Sequence, residues 1–495
     1  MILSIDQGTT GTTVLVFDRR GYVRGAGYAE HRQIYPRPGW VEHDPVEIRD
    51  TAVRVTVEAM ADARIGPSEI AGIGITNQRE TTVVWDRTTM EPVYNAIVWQ
   101  CRRTAEQCAA LRAQGLNDRF QQKTGLVIDP YFSATKIAWL LEHIPGLRAK
   151  TEKDEIAFGT IDTWLLGNLT GGHVHVTDYT NASRTMLFNI QERRWDDELL
   201  DLLSIPASIL PEVRSSSETY SHTAPDGPFG RPIPVAGIAG DQQAALFGQK
   251  GTNPGRLKNT YGTGCFLLLN MGDRFVSSKS GLLTTLASDA RGGPVYASEG
   301  SVFNAGSTIN WLRDQLGIIR SPAETEGMAR SIPNSGGVYF VPAFTGLGAP
   351  HWDPKARGTI VGLTRGVGAR EIVRAALESI AYQTADLIDA MQSDAEVRIS
   401  ALNADGGASQ NDFLMQFQAD ILNLPVIRPK IVETTALGVA LLAGLAVGFW
   451  GDLEEVESLR EPGRTFEPTM SEDRRQELLA GWRKAVETAK EYTVR

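Results

Sequence analysis

The opening of the chain constrains its fold more than any other stretch: Ile2-Leu3-Ser4-Ile5-Asp6-Gln7-Gly8-Thr9-Thr10-Gly11-Thr12-Thr13-Val14-Leu15-Val16-Phe17-Asp18. An apolar run ends in a carboxylate, a polar turn of Gly and Thr follows, and a second β-branched run leaves it. That pattern reads as two antiparallel strands joined by a tight connection, with Gly supplying the open backbone. The turn offers Thr hydroxyls and backbone N–H groups suited to phosphate oxygens. Asp6, at the strand end, suits a hydrated Mg²⁺ beside them. An ordinary N-terminal hairpin would look the same, so this stretch does not decide the matter alone.

A second stretch of the same design does. Leu257-Lys258-Asn259-Thr260-Tyr261 leads into Gly262-Thr263-Gly264, and Cys265-Phe266-Leu267-Leu268-Leu269 leaves it. Two phosphate-type turns, one near the start of each half, point to two related halves facing each other across a nucleotide. No G-x-x-x-x-G-K-[ST] occurs, which excludes a P-loop protein. A strand rather than a helix follows the first glycine turn, which excludes a Rossmann reading.

Further blocks narrow the identity: Asn77-Gln78-Arg79-Glu80-Thr81-Thr82, Asn95 to Arg103, Ala239-Gly240-Asp241-Gln242-Gln243 and Tyr261 to Phe266. Together they resemble the FGGY carbohydrate kinases of the actin-like ATPase superfamily, and among these the members that phosphorylate glycerol. The resemblance runs in chain order from residue 1 to about residue 450. It implies an α/β chain of two actin-like (ribonuclease H-like) ATPase domains, 1–250 and 251–495, with an interdomain cleft. The implied reaction transfers phosphate from ATP, with Mg²⁺, to glycerol, releasing ADP and sn-glycerol 3-phosphate. A dimer or tetramer of the chain in the cytoplasm is implied as well. Two other readings stand beside it: a sibling kinase of another polyol or ketose, and an actin-like assembly or chaperone ATPase with no small acceptor.

The resemblance assigns roles residue by residue. Asp241 is the general base, since phosphorylating an alcohol needs a carboxylate at the hydroxyl to accept its proton. A helix N-cap would also favour Asp at this place. Arg79 and Glu80 donate to and accept from the polyol, with Tyr131, Asp241 and Gln242 completing the polar contacts. Trp99 and Phe266 wall its carbon chain. Taken singly, an Arg-Glu pair is usually a surface ion pair and an aromatic usually belongs to the core. The nucleotide positions are Thr9, Thr10, Gly11 and Thr13 on the first turn and Thr263 on the second, then Gly306, Asn310, Gly407 and Asn411. Asp6 and Asp241 would hold Mg²⁺ through water. Gly11, Thr13 and Asn310 stand where many relatives carry Ser, Arg and Gln.

The rest of the chain fits this frame. At 495 residues, 42% apolar and 22% charged, it can bury two sizeable cores, and a net charge of −10 argues against a general nucleic-acid surface. Cys101, Cys108 and Cys265 are an odd, scattered set, which points to a reducing compartment. Met1 runs directly into the first strand, leaving no room for a signal peptide. His173 and His175 read as a surface pair. Asp44-Pro45-Val46-Glu47 starts a helix reaching about Arg64. Helices are expected over 103–114, 131–143, 302–316 (beginning close to Gly306), 370–392, 409–422 and 436–450, with a charged surface helix beyond Ser471. Residues 204–234, rich in Pro, read as a long surface connection. A Gly/Pro cluster over 251–255 marks the domain boundary.

Overall fold

The structure is a computed structural model and describes residues 1–288, 290, 293, 295–353, 355–395, 397–431, 433–459 and 463–492. Its first half is built on a six-stranded sheet. In chain order the strands are β1 (Ile2–Gln7), β2 (Gly11–Phe17), β3 (Val23–Glu30), β4 (Gly72–Asn77), β5 (Ser217–His222) and β6 (Pro234–Gly240). Their order across the sheet is β5-β6-β4-β1-β2-β3. The opening hairpin is antiparallel, while β1 runs parallel to β4 and β4 parallel to β6.

The second half repeats that plan. Its strands are β7 (Leu257–Tyr261), β8 (Cys265–Gly272), β9 (Leu283–Ala287), β10 (Val295–Val302), β11 (Leu402–Asp405), β12 (Val426–Arg428) and β13 (Arg464–Phe466). The order is β9-β10-β8-β7-β11-β12-β13. Here four antiparallel strands, β9-β10-β8-β7, lead to a parallel pair on the far side of the hairpin. The two Gly/Thr turns therefore hold equivalent places in two sheets, as the paired sequence pattern suggests.

Strands buried on both faces carry near-continuous apolar runs, and β1 with its Ile-Leu-Ser-Ile is one. One face of the first sheet packs on helices α1 (Pro45–Ala63) and α2 (Ile161–Leu169), through Leu3, Ile5, Val14, Ile73 and Ile75. The other face packs on α3 (Asp241–Gly248) and α4 (Thr434–Ala446), through Ile2, Phe17, Ala236 and Ala239. α4 comes from the second half yet lies on the first sheet. A Cβ on Gly438 would sit 1.9 Å from the Ala244 carbonyl oxygen, and one on Gly248 would sit 2.1 Å from that of Thr434. Only glycine at both lets these two backbones touch. α3 is thus wedged between the sheets, since Leu246 also packs on Leu268 and Ala297 of the second.

Asp44 caps α1 as expected, accepting from Val46 N–H at 2.9 Å, and Ser471 caps the last helix, Glu472–Glu491. Other expectations need correction. The 204–234 stretch contains β5, whose pairing with β6 completes the sheet edge. Val302 closes β10, and the helix there spans only Gly306–Asp314. The apolar helix stops at Ala446 because Gly448 turns to φ +69° and Trp450 folds back on Gly444. The last helix is not simply a surface one: Leu478, Trp482 and Val486 are buried, and Trp482 stacks on Tyr382. His175 is no surface side chain either. Its Nε2 faces the Phe158 carbonyl at 2.7 Å, and burial lowers its pKa to about 4. All three cysteines are buried and free. Among the described residues no helix is long and apolar enough to cross a membrane.

Candidate active site

The sequence places a carboxylate where β6 ends and α3 begins, and the fold carries that point into the seam between the sheets. Asp241 Oδ1 accepts from the Gln242 backbone N–H at 2.7 Å and lies 3.2 Å from Arg79 Nε. Asp241 Oδ2 accepts from Gln242 Nε2 at 3.2 Å. The side-chain carbonyl of Gln242 accepts from Lys258 Nζ, which also donates to Thr260 Oγ1 at 2.9 Å. Lys258 and Thr260 belong to β7, one strand before the second turn. Asp6 is the last residue but one of β1, just before the first turn. Burial, and then the negative charge of Asp241, raise the Asp6 carboxyl to about 7. Asp241 and Gln242 therefore lie between the strand ends that lead into the two turns.

Arg79 and Glu80 leave β4 in a tight turn. Thr81 N–H donates to the Arg79 carbonyl at 2.7 Å and Glu80 takes φ +61°, a strained geometry for a residue with a side chain. Two residues of the helix Ser133–His143 hold that strained peptide. Ser133 Oγ and Lys136 Nζ both donate to the Glu80 carbonyl, at 3.1 and 3.3 Å. Lys136 is buried, and the desolvation of its ammonium lowers its pKa to about 8. Most of this helix reads as amphipathic packing, yet two of its buried polar groups, Ser133 and Lys136, hold the Arg79-Glu80 turn.

The aromatic walls assemble around the same turn. The Trp99 and Tyr131 rings meet edge to face with centroids 5.4 Å apart. Trp99 Nε1 donates to Thr9 Oγ1 at 2.9 Å, which ties this aromatic pair to the first Gly/Thr turn. Phe266 comes from the opposite half. It pairs with Ser301 in the register that sets Leu268 opposite Glu299, so Phe266 and Glu299 share one sheet face. Glu299 accepts from Arg79 Nη1 at 2.6 Å and from Nη2 at 3.2 Å, which aims that face at the first half.

The positions expected to meet a nucleotide lie as follows. Gly8 N–H closes the first turn on the Gly11 carbonyl at 2.9 Å, leaving Thr10 exposed. A Cβ on Gly11 would lie 2.6 Å from the Ala29 carbonyl oxygen and 2.9 Å from the Tyr28 ring. The glycine that stands here instead of Ser is therefore required by β3. Thr13 pairs with Asp6 across the hairpin. Thr263 lies exposed on the second turn, and its carbonyl accepts from the Ala305 and Ser307 N–H groups. A Cβ on Gly306 would lie 2.6 Å from the Gly262 carbonyl oxygen, so this glycine seats its helix under the turn. Asn310 is exposed on that helix. Gly406, at φ +85°, packs on Tyr261, while Gly407 faces open space. Asn411 is occupied otherwise than expected. Its Oδ1 caps Leu414 N–H and its Nδ2 donates to Thr325 Oγ1, so a nucleoside contact would need that amide to turn.

Three side chains at the centre carry no signal in the motifs. Arg184, Glu299 and Lys258 are all buried. Burial alone would push Glu299 up, but Arg184 and Arg79 overcome it and hold its carboxyl at about 2. Burial lowers Lys258 to about 8, against the charges of Asp405 and Asp241. An ionised side chain inside a strand, at Lys258 and Glu299, was the one available clue.

Residues 1–248 match the model of the FGGY family of carbohydrate kinases, N-terminal domain, and residues 257–447 match that of its C-terminal domain. The chain is 59% identical to a glycerol kinase of Carboxydothermus hydrogenoformans over 493 residues, covering 100% of this chain and 99% of that protein. It is likewise 59% identical to glycerol kinase 2 of Thermotoga maritima, over 98% of each chain. The solved structure of a Plasmodium falciparum glycerol kinase with ADP superposes with a TM-score of 0.94 at 39% identity, covering 99% of this chain and 98% of that one.

Proposed function

The chain belongs to the FGGY family of carbohydrate kinases, and from that premise we propose that it phosphorylates glycerol at the expense of ATP, yielding sn-glycerol 3-phosphate and ADP. The observation that carries the reading is the convergence of Arg79, Glu80, Trp99, Tyr131, Asp241 and Gln242 on one seam. It is supported by 59% identity to proteins named glycerol kinase along their full length.

In this mechanism the half formed by residues 1–250 binds the polyol and supplies the base. The half from 251 onward supplies the second phosphate turn and the nucleoside contacts. Nη1 of Arg79 already donates to Glu299 and Gln243, Nη2 donates to Glu299, and Nε faces Asp241. One Nη2 hydrogen is left over to donate to a glycerol hydroxyl. Tyr131, Trp99 and Phe266 enclose the carbon chain, and Glu80 accepts from a further hydroxyl. Asp241 receives the proton of the attacking hydroxyl as the γ-phosphoryl moves, and the Gln242 contacts hold its carboxylate in place. The phosphate oxygens are bound by N–H and hydroxyl groups at Thr9, Thr10 and Thr263, with Gly11 leaving the backbone open. Gly306, Asn310, Gly407 and Asn411 lie along the adenosine side.

Mg²⁺ fits the carboxylates present. The Asp6 carboxylate makes no side-chain hydrogen bond among the described residues and feels the charge of Asp241. The two would hold the ion through water, and it would neutralise charge on the phosphates. Two carboxylates suit such outer-sphere binding. We place the enzyme in the cytoplasm as a homo-oligomer, to be checked by light scattering. The function is tested by coupled ADP release across a panel of glycerol, xylulose and no acceptor. Glycerol-dependent turnover is expected. ATP turnover independent of any polyol would favour an assembly or chaperone ATPase instead.

A further inference from the structure

Arg184 and Glu299 belong to none of the motifs, yet the acceptor side chains are arranged around them. Arg184 Nε donates to Glu80 Oε1 at 2.6 Å, and Arg184 Nη2 to Glu299 Oε1 at 2.9 Å. Its guanidinium lies over the Tyr131 ring, 5.5 Å from the centroid, and over Phe132 at 5.3 Å. The same Glu299 holds Arg79 through both carboxylate oxygens. Arg184 thus touches two proposed acceptor residues directly and reaches a third, Arg79, through one shared carboxylate. All four charged groups are buried, with side-chain exposures of 0–2%.

Two positive and two negative charges make the cluster neutral. Buried in this way, each ion needs its partners in fixed positions. Nη1 of Arg184 has no partner among the described residues, which leaves a buried donor there. Glu299 also comes from the other half, 220 residues from Arg79. Around it the seam continues: Ser183 Oγ meets Thr285 Oγ1 at 2.8 Å, and Gln243 Nε2 donates to the Leu286 carbonyl at 3.2 Å.

We propose that Arg184 and Glu299 are positioning residues for the acceptor. On this assignment the polyol site is completed only when the second half delivers Glu299 to Arg79 and Arg184. Neither residue transfers the phosphate or the proton. Glu299 sets where the Arg79 guanidinium points, and Arg184 sets the Glu80 carboxylate and the Tyr131 ring. The inference rests on the glycerol kinase reading and adds the source of its acceptor geometry.

The test is kinetic and uses the full chain. The double variant Arg184→Met/Glu299→Gln removes one charge of each sign, so no ion is left unpaired by count. Glycerol KM should rise about tenfold or more, as for one lost charge-assisted contact, while ATP KM stays within about twofold. Glu299→Asp keeps the charge but draws the carboxylate back by one methylene. It covers the case in which the double variant fails to fold, and its glycerol KM should rise several-fold with ATP KM unchanged. Arg184→Lys keeps charge without the fork and should fall between wild type and the double variant. A folded double variant or Glu299→Asp with wild-type glycerol KM would overturn the assignment, and so would equal losses for glycerol and ATP. Wild type run alongside separates the two readings: if it does not phosphorylate glycerol, the kinase reading itself has failed.

Discussion

Replacing Asp241 with Asn separates proton acceptance from binding at one position. The Asn carbonyl can keep what Oδ1 does now, accepting from Gln242 N–H and facing Arg79 Nε. Its NH₂, however, would face the Gln242 NH₂ that Oδ2 now receives. Turning Gln242 to accept would aim its NH₂ at Lys258 Nζ, which already donates to Gln242 Oε1. One hydrogen bond is therefore lost whichever way the amide points, about 1 kcal/mol. Arg79 is not stranded, because Glu299 still pairs with it through two bonds. The fold should thus survive with a modest drop in Tm. The reaction should lose far more, since removing a positioned general base costs ~10²–10⁴ in rate, roughly 3–5 kcal/mol of barrier. Expected are a kcat at least about a hundredfold lower and a glycerol Kd, by calorimetry, changed by less than about tenfold. A folded Asp241→Asn enzyme with near-wild-type kcat would refute the role and leave Asp241 a helix-terminal carboxylate.

Arg79→Ala should weaken glycerol binding about tenfold or more with ATP little affected. It should also cost roughly 3–5 kcal/mol of stability, since Glu80 and Glu299 would then share Arg184 alone; thermal unfolding and KM measurements check both, and an unchanged Tm would contradict the buried cluster. Gly438→Ala should destabilise strongly, because its Cβ would lie 1.9 Å from the Ala244 carbonyl oxygen, and a Tm equal to wild type would mean that α3 and α4 are packed less closely than described. His175 is held at about 4 chiefly by burial, so the unfolded chain binds a proton between about pH 6.5 and 4 that the folded one refuses. Its contribution is whole above about pH 6.5 and lost as pH falls towards 4, up to roughly 3 kcal/mol; urea titrations at pH 7 and 4.5 should show a shallower loss in His175→Gln, and equal losses would count against it. Glycerol with a non-hydrolysable ATP analogue should reduce the radius of gyration in small-angle scattering, because the proposed ligand groups lie in both halves; no change with ligand bound would argue against closure.

Much of this architecture was legible in the residues. Each Gly/Thr turn between apolar runs specifies a local hairpin, and local patterns survive in isolation because their contacts are a few residues apart. The helix start at Asp44 and the carboxylate after β6 were legible for the same reason. Asp241, Arg79, Glu80 and Trp99 could be named as candidates because they sit in short contiguous motifs. Residues 217–222 were not legible as a strand: their alternation is weak, and what holds them is pairing with β6. The last helix read as a surface element because its charges outnumber the apolar stripe that Tyr382 and Asp386 receive.

What the sequence alone determined was therefore the repeated hairpin plan and the candidate residues for the chemistry. Which of them meet was decided by tertiary structure. Glu299 is one acid in a strand until the second sheet carries it to Arg79, 220 residues earlier, and to Arg184. Asn411 looks free to bind a nucleoside until the fold engages its amide at Leu414 and Thr325. The physical reason is the same in both cases. A buried ion or amide takes its place from partners that desolvation obliges it to find, and those partners become neighbours only when the two sheets pack against α3.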